Sequence, residues 1–266
     1  SRTMFSRFQR KHLAIPYAVF LFLFVVLPVI IVLVYAFTDN SFRFTLVNLT
    51  DFFGSEKFAT LIVSLVYGAV NTVLCLLIGY PIAMILANKK YNKNAVIVML
   101  FVMPMWINFV IRIWAIRDLL SWVGLSGGHY PELATIIGLV YDYLPFVILP
   151  LYTTMLRMDK SQVEAASDLG AKPYQTFTRV IIPMTMPGIV SAAMMVFMPT
   201  ISSYAIADIL SEYKVTLFGG TIELYFKQSN WHFGSFLALV MLVLIALTTF
   251  LTSRFSKKET ERANLW

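Results

Sequence analysis

Six apolar runs, each long enough to cross a bilayer, constrain this chain more than anything else in it. A hydrocarbon core of ~30 Å needs roughly 20 apolar residues in a helix. Runs of that kind fall at about 13–37, 59–87, 95–116, 133–155, 188–208 and 235–253. In lipid every backbone polar group must be bonded inside the protein, so the runs predict an all-α, polytopic membrane protein of six packed helices in a single domain, 1–266. The composition agrees: 59% of residues are hydrophobic, 13% are charged and the mean hydropathy is +0.75. A soluble domain carries about a quarter charged residues. The first run exceeds the ~7–15 apolar residues of a signal peptide, so it is expected to remain a span. Pro28, Pro81, Pro104, Pro145, Pro150 and Pro199 lie within runs and predict kinked helices.

The basic residues order the runs. Arg2, Arg7, Arg10 and Lys11 precede the first, and Lys89, Lys90 and Lys93 follow the second. Arg157, Lys160, Lys172 and Arg179 follow the fourth, and Arg254, Lys257, Lys258 and Arg262 follow the sixth. These fifteen face five on the other side, Arg43, Lys57, Arg117, Lys214 and Lys227. Cytoplasmic loops carry the excess of Lys and Arg, so both termini and the loop after the fourth run are expected in the cytoplasm. The net charge of +7 is therefore read as topology. A nucleic-acid partner would need a soluble basic face, and the pattern supplies none.

Catalytic and metal chemistry find little purchase. Cys75 stands alone inside an apolar run, and His12, His129 and His232 are scattered without ligand spacing. No phosphate-binding loop, nucleophile elbow or paired-histidine helix motif appears. If ATP drives this protein, another chain must hydrolyse it.

The loop at about 156–187 is polar and alanine-rich between very apolar neighbours. Ser161-Gln162-Val163-Glu164 has the form of a capping box, which would start a helix near Gln162. Ala165 and Ala166 propagate it, and Gly170 can take the left-handed backbone that ends it. Lys172 precedes Pro173 and is pushed out of the helical region; Pro173 suits the first position of a second helix. That helix is expected to run to about Ile182, with Pro183 and Pro187 stopping it. Val163, Ala166 and Leu169 would share one face of the first helix, and Phe177, Val180 and Ile181 one side of the second. Such a hairpin could simply lie on the membrane surface, with Glu164 no more than a cap.

Glu164-Ala165-Ala166, three residues, Gly170, nine residues and Val180-Ile181-Ile182-Pro183 resembles the EAA loop of ABC importer permeases, E-A-A-x3-G-x9-I-x-L-P. Val180 and Ile182 are mild departures from that pattern. From average residue usage, chance gives such a match on the order of 10⁻⁵ to 10⁻⁴ times in a chain of this length. Four further stretches resemble the spermidine/putrescine permeases of PotB type more than their PotC-type partners. They are Gly79-Tyr80-Pro81-Ile82-Ala83, Pro104-Met105-Trp106 with Ile111-Arg112-Ile113, Gly138-Leu139-Val140-Tyr141 with Leu144-Pro145-Phe146, and Trp231-His232-Phe233-Gly234. The resemblance implies a type I ABC importer permease in a bacterial inner membrane, with 156–187 as a cytoplasmic two-helix coupling loop. It further implies a PotC-like second permease, two PotA-like ATPase subunits that bind ATP and Mg, and a PotD-like external binding protein. Glu164, Ala165, Ala166 and Gly170 would then form the ATPase contact, with no cofactor on this chain.

Ionisable groups inside spans are expensive and mark candidate paths. Asp142 in the fourth run and Asp208 at the end of the fifth could attract a polyammonium ligand. Tyr204 lies one helical turn before Asp208 and shares its face. Trp106, Tyr141 and Tyr143 could add cation–π contacts of ~0.5–2 kcal/mol each, or lie in the interfacial belts. Arg112 cuts against a purely acidic path: pairing it with Asp142 or Asp208 would make that acid structural. Asn71 and Asn108 suit either a ligand or contacts between helices. The outer loops hold Asp39, Asp51, Glu56, Asp118, Glu132, Glu212 and Glu223 against the five bases, a mildly acidic face. Two alternatives stay open: an importer for another small solute (an iron, sulfate or thiamine ligand), and an ion-coupled secondary transporter without an ATPase.

Overall fold

Where hydrocarbon cannot hydrogen-bond the backbone, a chain this apolar has helix as its simplest solution. The computed structural model describes residues 10–88 and 96–263, with side chains described over 15–88 and 96–253. Arg2, Arg7, Lys89, Lys90 and Lys93 of the topology argument lie outside the described residues, as do the side chains of Arg10, Lys11, Arg254, Lys257, Lys258 and Arg262. Among the described residues the chain is nearly all helical, and extended pairing amounts to one isolated bridge, Thr38–Phe44.

The helices in order are α1 Arg10–Leu21, α2 Leu27–Ala36, α3 Val47–Gly54, α4 Glu56–Ala87, α5 Val96–Val102, α6 Phe109–Trp122 and α7 Pro131–Arg157. They continue as α8 Lys160–Asp168, α9 Pro173–Thr176, α10 Ile182–Ser202, α11 Ala205–Leu210, α12 Phe218–Lys227 and α13 Trp231–Ala263. Among the described residues five stretches are long and apolar enough to cross a membrane: Ile15–Ala36, Glu56–Ala87, Pro131–Arg157, Pro173–Ser202 and Trp231–Ser253. A sixth crossing is made only if Val96–Trp106 and Phe109–Trp122, which meet at 97°, count as one broken span.

That break goes further than the kink expected at Pro104 within the run at 95–116. Pro104 has no N–H to give, and the chain tightens into a 3₁₀ turn, Met103–Trp106, before Ile107 goes extended. Asn108 then caps a new helix, its side chain accepting from Val110 N at 3.0 Å and Ile111 N at 3.5 Å. A correction concerns 188–208. α10 ends at Ser202, and Tyr204 and Asp208 belong to the short α11 beyond an extended Ser203. The Ser202 hydroxyl donates 3.2 Å to both the Met198 and Pro199 carbonyls, replacing partners the helix end has lost. Pro81, Pro145 and Pro150, by contrast, stay within continuous helices.

The contacts divide the chain into two units. The first, Ser1–Glu56 with Ile222–Val243, is built on aromatic contacts. His232 stacks on Tyr35 at 5.0 Å, and Phe236 meets Phe37 edge-on at 6.3 Å and Phe52 at 5.9 Å. Asn48 Nδ2 donates 2.9 Å to the Ala36 carbonyl. The second unit, Lys57–Thr221 with Leu244–Trp266, packs α4, α7 and α10 through Cys75, Ala83, Val147, Leu151, Ala192 and Val196. α6, α7 and α11 pack through Ile113, Ala134, Leu139, Ile206 and Leu210. Asn71 is fully buried and donates 2.8 Å to Thr200 Oγ1, so it joins α4 to α10.

Gly79 lets α4 approach α7, since a Cβ there would lie 2.7 Å from Val147 Cγ1. Gly79→Ala should therefore cost about 1–3 kcal/mol of stability through overpacking. Adding Val147→Ala should return much of it. Thermal melting of the detergent-purified single and double variants checks this; an additive double variant would rule out the close contact.

Candidate functional site

Two places concentrate polar chemistry in the second unit, and the first is the hairpin after α7. Asp159 opens α8 as its N-cap, the side chain accepting the Ser161 N–H at 3.0 Å. Ser161 is thus inside the helix, and the capping box expected over Ser161–Glu164 is displaced by the stronger cap two residues earlier. That leaves the exposed Glu164 without a capping role. At the other end Gly170 takes φ +78°. Its N–H bonds the Ser167 carbonyl at 2.9 Å, and Ala171 N bonds the Ala166 carbonyl at 3.0 Å. This is the paired closure that a glycine after a helix permits. Lys172 is extended, Pro173 begins the next helix, and Lys172 N donates 2.9 Å to Gln175 Oε1.

Two expectations fail here. Leu169 does not share the inner face of α8 with Val163 and Ala166, which are half-buried; it is 89% exposed. As the C-cap residue it has already left the helical register (φ −75°, ψ 5°). Nor do Pro183 and Pro187 stop the second helix, which continues to Ser202. A π turn over Phe177–Ile181, closed by Ile182 N on the Phe177 carbonyl, widens the helix just before Pro183 and makes room for its ring. Phe177 faces inward, edge-on to Tyr80 at 5.8 Å. The outer surface of the hairpin carries Glu164, Ala165, Leu169 and Tyr174, with Ala166 half-buried beneath them.

The second place is a cavity of about 220 Å³ where α10 breaks. Phe109, Asp142, Tyr143, Pro199, Ser202, Ser203, Tyr204, Ala205 and Ile206 line it. Asp142, near the middle of α7, is 9% exposed and forms an ion pair with Arg112 Nη2. Arg112 Nη1 donates 2.8 Å to the Pro104 carbonyl. Of the candidate path residues, Asp142 and Tyr204 are brought together here. Asp208 sits one turn along α11, its N–H 3.0 Å from the Tyr204 carbonyl. Both flank Gly220, whose Cβ would lie 3.5 Å from Tyr204 Cβ and 3.8 Å from Asp208 Oδ1. Tyr141 lies under the protein's own cation, with Arg112 Cζ 5.9 Å from its ring centre. Trp106 is 83% exposed on the 3₁₀ turn and is not part of the lining. Ser202, Ser203, Phe109 and Tyr143 line the cavity unannounced as a set, although the Ser-Ser-Tyr triplet between apolar stretches was a visible signal for a break. A carboxylate, hydroxyls and ring faces in one recess can hold a cation through charge, hydrogen bonds and π faces.

A family profile described as the binding-protein-dependent transport system inner membrane component matches residues 79–260. The chain belongs to this family. The match spans the hairpin, the broken third span and the cavity. Among curated relatives, the spermidine/putrescine transport system permease protein PotB of Haemophilus influenzae is 35% identical, covering 95% of each chain. PotB of Escherichia coli is 33% identical, covering 92% of this chain and 97% of its own. Among solved structures, a bacterial ABC transporter involved in the import of the acidic polysaccharide alginate shares the fold. Its TM-score is 0.66 at 16% identity, over 94% of this chain and 95% of that one. This binding-protein-dependent transport component is therefore an inner-membrane permease subunit of an ABC importer. It works with a partner permease, an ATPase and a binding protein, and permeases of this family are not themselves catalytic.

Accepting the Ser161 N–H holds the Asp159 carboxyl below its usual range. A lowered folded-state value means the cap is present above the ordinary carboxylate range and is lost as pH falls through the lowered value. At neutral pH, Asp159→Ala should speed hydrogen exchange at the first amides of α8, while Asp159→Asn should stay near the parent. Equal exchange in Asp159→Ala and the parent would remove the cap.

Proposed function

We propose that this permease carries spermidine and putrescine inward, taking them from a PotD-like external binding protein. It would pair with a PotC-like permease and two PotA-like ATPase subunits that hold ATP and Mg. The observation carrying the reading is identity of 33–35% along more than nine-tenths of the chain with proteins named for those two polyamines. The cavity is consistent with it. At about 220 Å³ it lies below the ~300 Å³ lower end of ordinary ligand pockets. A narrow recess with one carboxylate and several ring faces suits a slim, unbranched ammonium chain. Asp142, Tyr204 and, one turn on, Asp208 are the residues assigned to the path; Tyr141 and Trp106 are assigned outer, secondary positions.

In this reading both termini and the 156–187 hairpin face the cytoplasm. Glu164 with Ala165 and Ala166 docks in a cleft of the ATPase, where the small alanines admit a close backbone and Glu164 meets a basic residue. Gly170 aims the helix. Leu169 and Tyr174, exposed beside that surface, add apolar contact. ATP-driven closure of the ATPases can shift the permease only by gripping this hairpin differently in its two states.

Radiolabelled uptake by the reconstituted complex, with spermidine, putrescine and non-polyamine competitors, tests the cargo. Uptake blocked by a non-polyamine and indifferent to polyamines would overturn it. Glu164→Lys should abolish uptake, a loss of ~100-fold or more from like-charge contact at an interface, with substrate binding by the external protein intact. Unchanged uptake would end its coupling role. Asp208→Asn should lower polyamine uptake at unchanged membrane abundance; parallel loss of the protein itself would make that acid structural.

A further inference from the structure

Arg112 is an awkward residue beside a path for cations, and its contacts are unusual. Its guanidinium donates through Nη2 to Asp142 Oδ1 on α7 and through Nη1, at 2.8 Å, to the Pro104 carbonyl. Pro104 belongs to the 3₁₀ turn on the α5 limb of the broken span, and Arg112 itself to the α6 limb. One side chain therefore ties both limbs of a 97° break to α7. The side chains of Arg112 and Asp142 are only 10% and 11% exposed.

Two further facts bear on what that tie is for. Arg112 Nε is buried and meets no acceptor, so the guanidinium is desolvated without full compensation. Asp142 also lines the 220 Å³ cavity, whereas Arg112 does not. A cation entering the cavity meets the carboxylate directly and competes with Arg112 for it. Phe109, the first residue of α6, lines the same cavity, so a shift of that limb changes the cavity wall.

We propose that Arg112 is a stand-in for the cargo's ammonium group: it occupies Asp142 when the cavity holds no substrate, and the substrate displaces it. Displacement releases the tie among α7, the Pro104 turn and α6, so the broken third span reports that the cavity is filled. The device rests on the cationic cargo assigned above and makes Arg112 a positioning residue. Linkage requires the converse as well, since any state that frees Arg112 from Asp142 binds the cation more tightly.

The test uses the assembled complex, both permeases with the ATPase, in nanodiscs with the external binding protein. Spermidine-loaded binding protein should speed hydrogen exchange over residues 103–109 by about fivefold or more relative to the ligand-free form. Unchanged exchange there, in a complex that does import spermidine, would overturn the device and leave the cargo intact. Absence of polyamine import would remove the cargo assignment instead. Arg112→Gln should raise ATP hydrolysis with the ligand-free binding protein toward the loaded rate, cutting the loaded-to-free ratio about fivefold or more. A retained ratio would also overturn it. Should Arg112→Gln fail to assemble, the exchange measurement on the unmutated complex decides alone.

Discussion

Hydrocarbon offers a peptide group no hydrogen-bond partner, and three departures from a straight helix in this protein are answered locally. Asn108 takes up the amides that open α6 after the Pro104 break. Ser202 takes up carbonyls where α10 ends. A π turn precedes Pro183, and the second helix of the hairpin runs unbroken into a span. Because the breaks are compensated, they can serve as built parts. The cavity forms where α10 stops and α11 starts, opposite the Asp142 that α7 carries. The site depends on the backbone solution, and that solution depends on the short polar insertions at Asn108 and Ser202 in apolar runs.

Much of this was legible from residue order. Span-length apolar runs made the fold class, and the spacing from Glu164 to Pro183 made the family, because both are local patterns that tertiary contacts have no freedom to alter. Gly170 and Pro173 were legible for the same reason: a left-handed φ and a missing N–H are properties of single residues. The hairpin's cap was misread because Asp159 and Ser161 are both good N-caps and only the built helix chooses between them. The proline stop was misread because a proline breaks a regular α-helix, and a π turn upstream removes the clash that does the breaking. Leu169 was placed inward by periodicity, which ceases to apply at the residue where a helix ends.

The charged residues show the same division. That Arg112, Asp142 and Asp208 are costly in a membrane follows from their chemistry alone, and a pairing of Arg112 with one of the two acids was foreseeable. Which acid was not, since the choice depends on how α6 turns after the break and on where α11 begins. The result places the protein's own cation and the cavity on the same carboxylate. Asp142 is thus paired within the protein and also part of the cavity lining.

Sequence by itself determined that this chain spans a membrane as helices, that two short helices meet at Gly170 between its apolar runs and that it belongs among binding-protein-dependent importers. These are properties of run length, spacing and single-residue backbone preference. Tertiary structure decided where the third span folds on itself, that Tyr204 and Asp208 leave the fifth span, and which acid Arg112 holds. Those outcomes turn on contacts between residues tens of positions apart, such as Arg112 with Asp142 and Asn71 with Thr200. Such pairs meet only after the helices pack, and no local pattern encodes the packing.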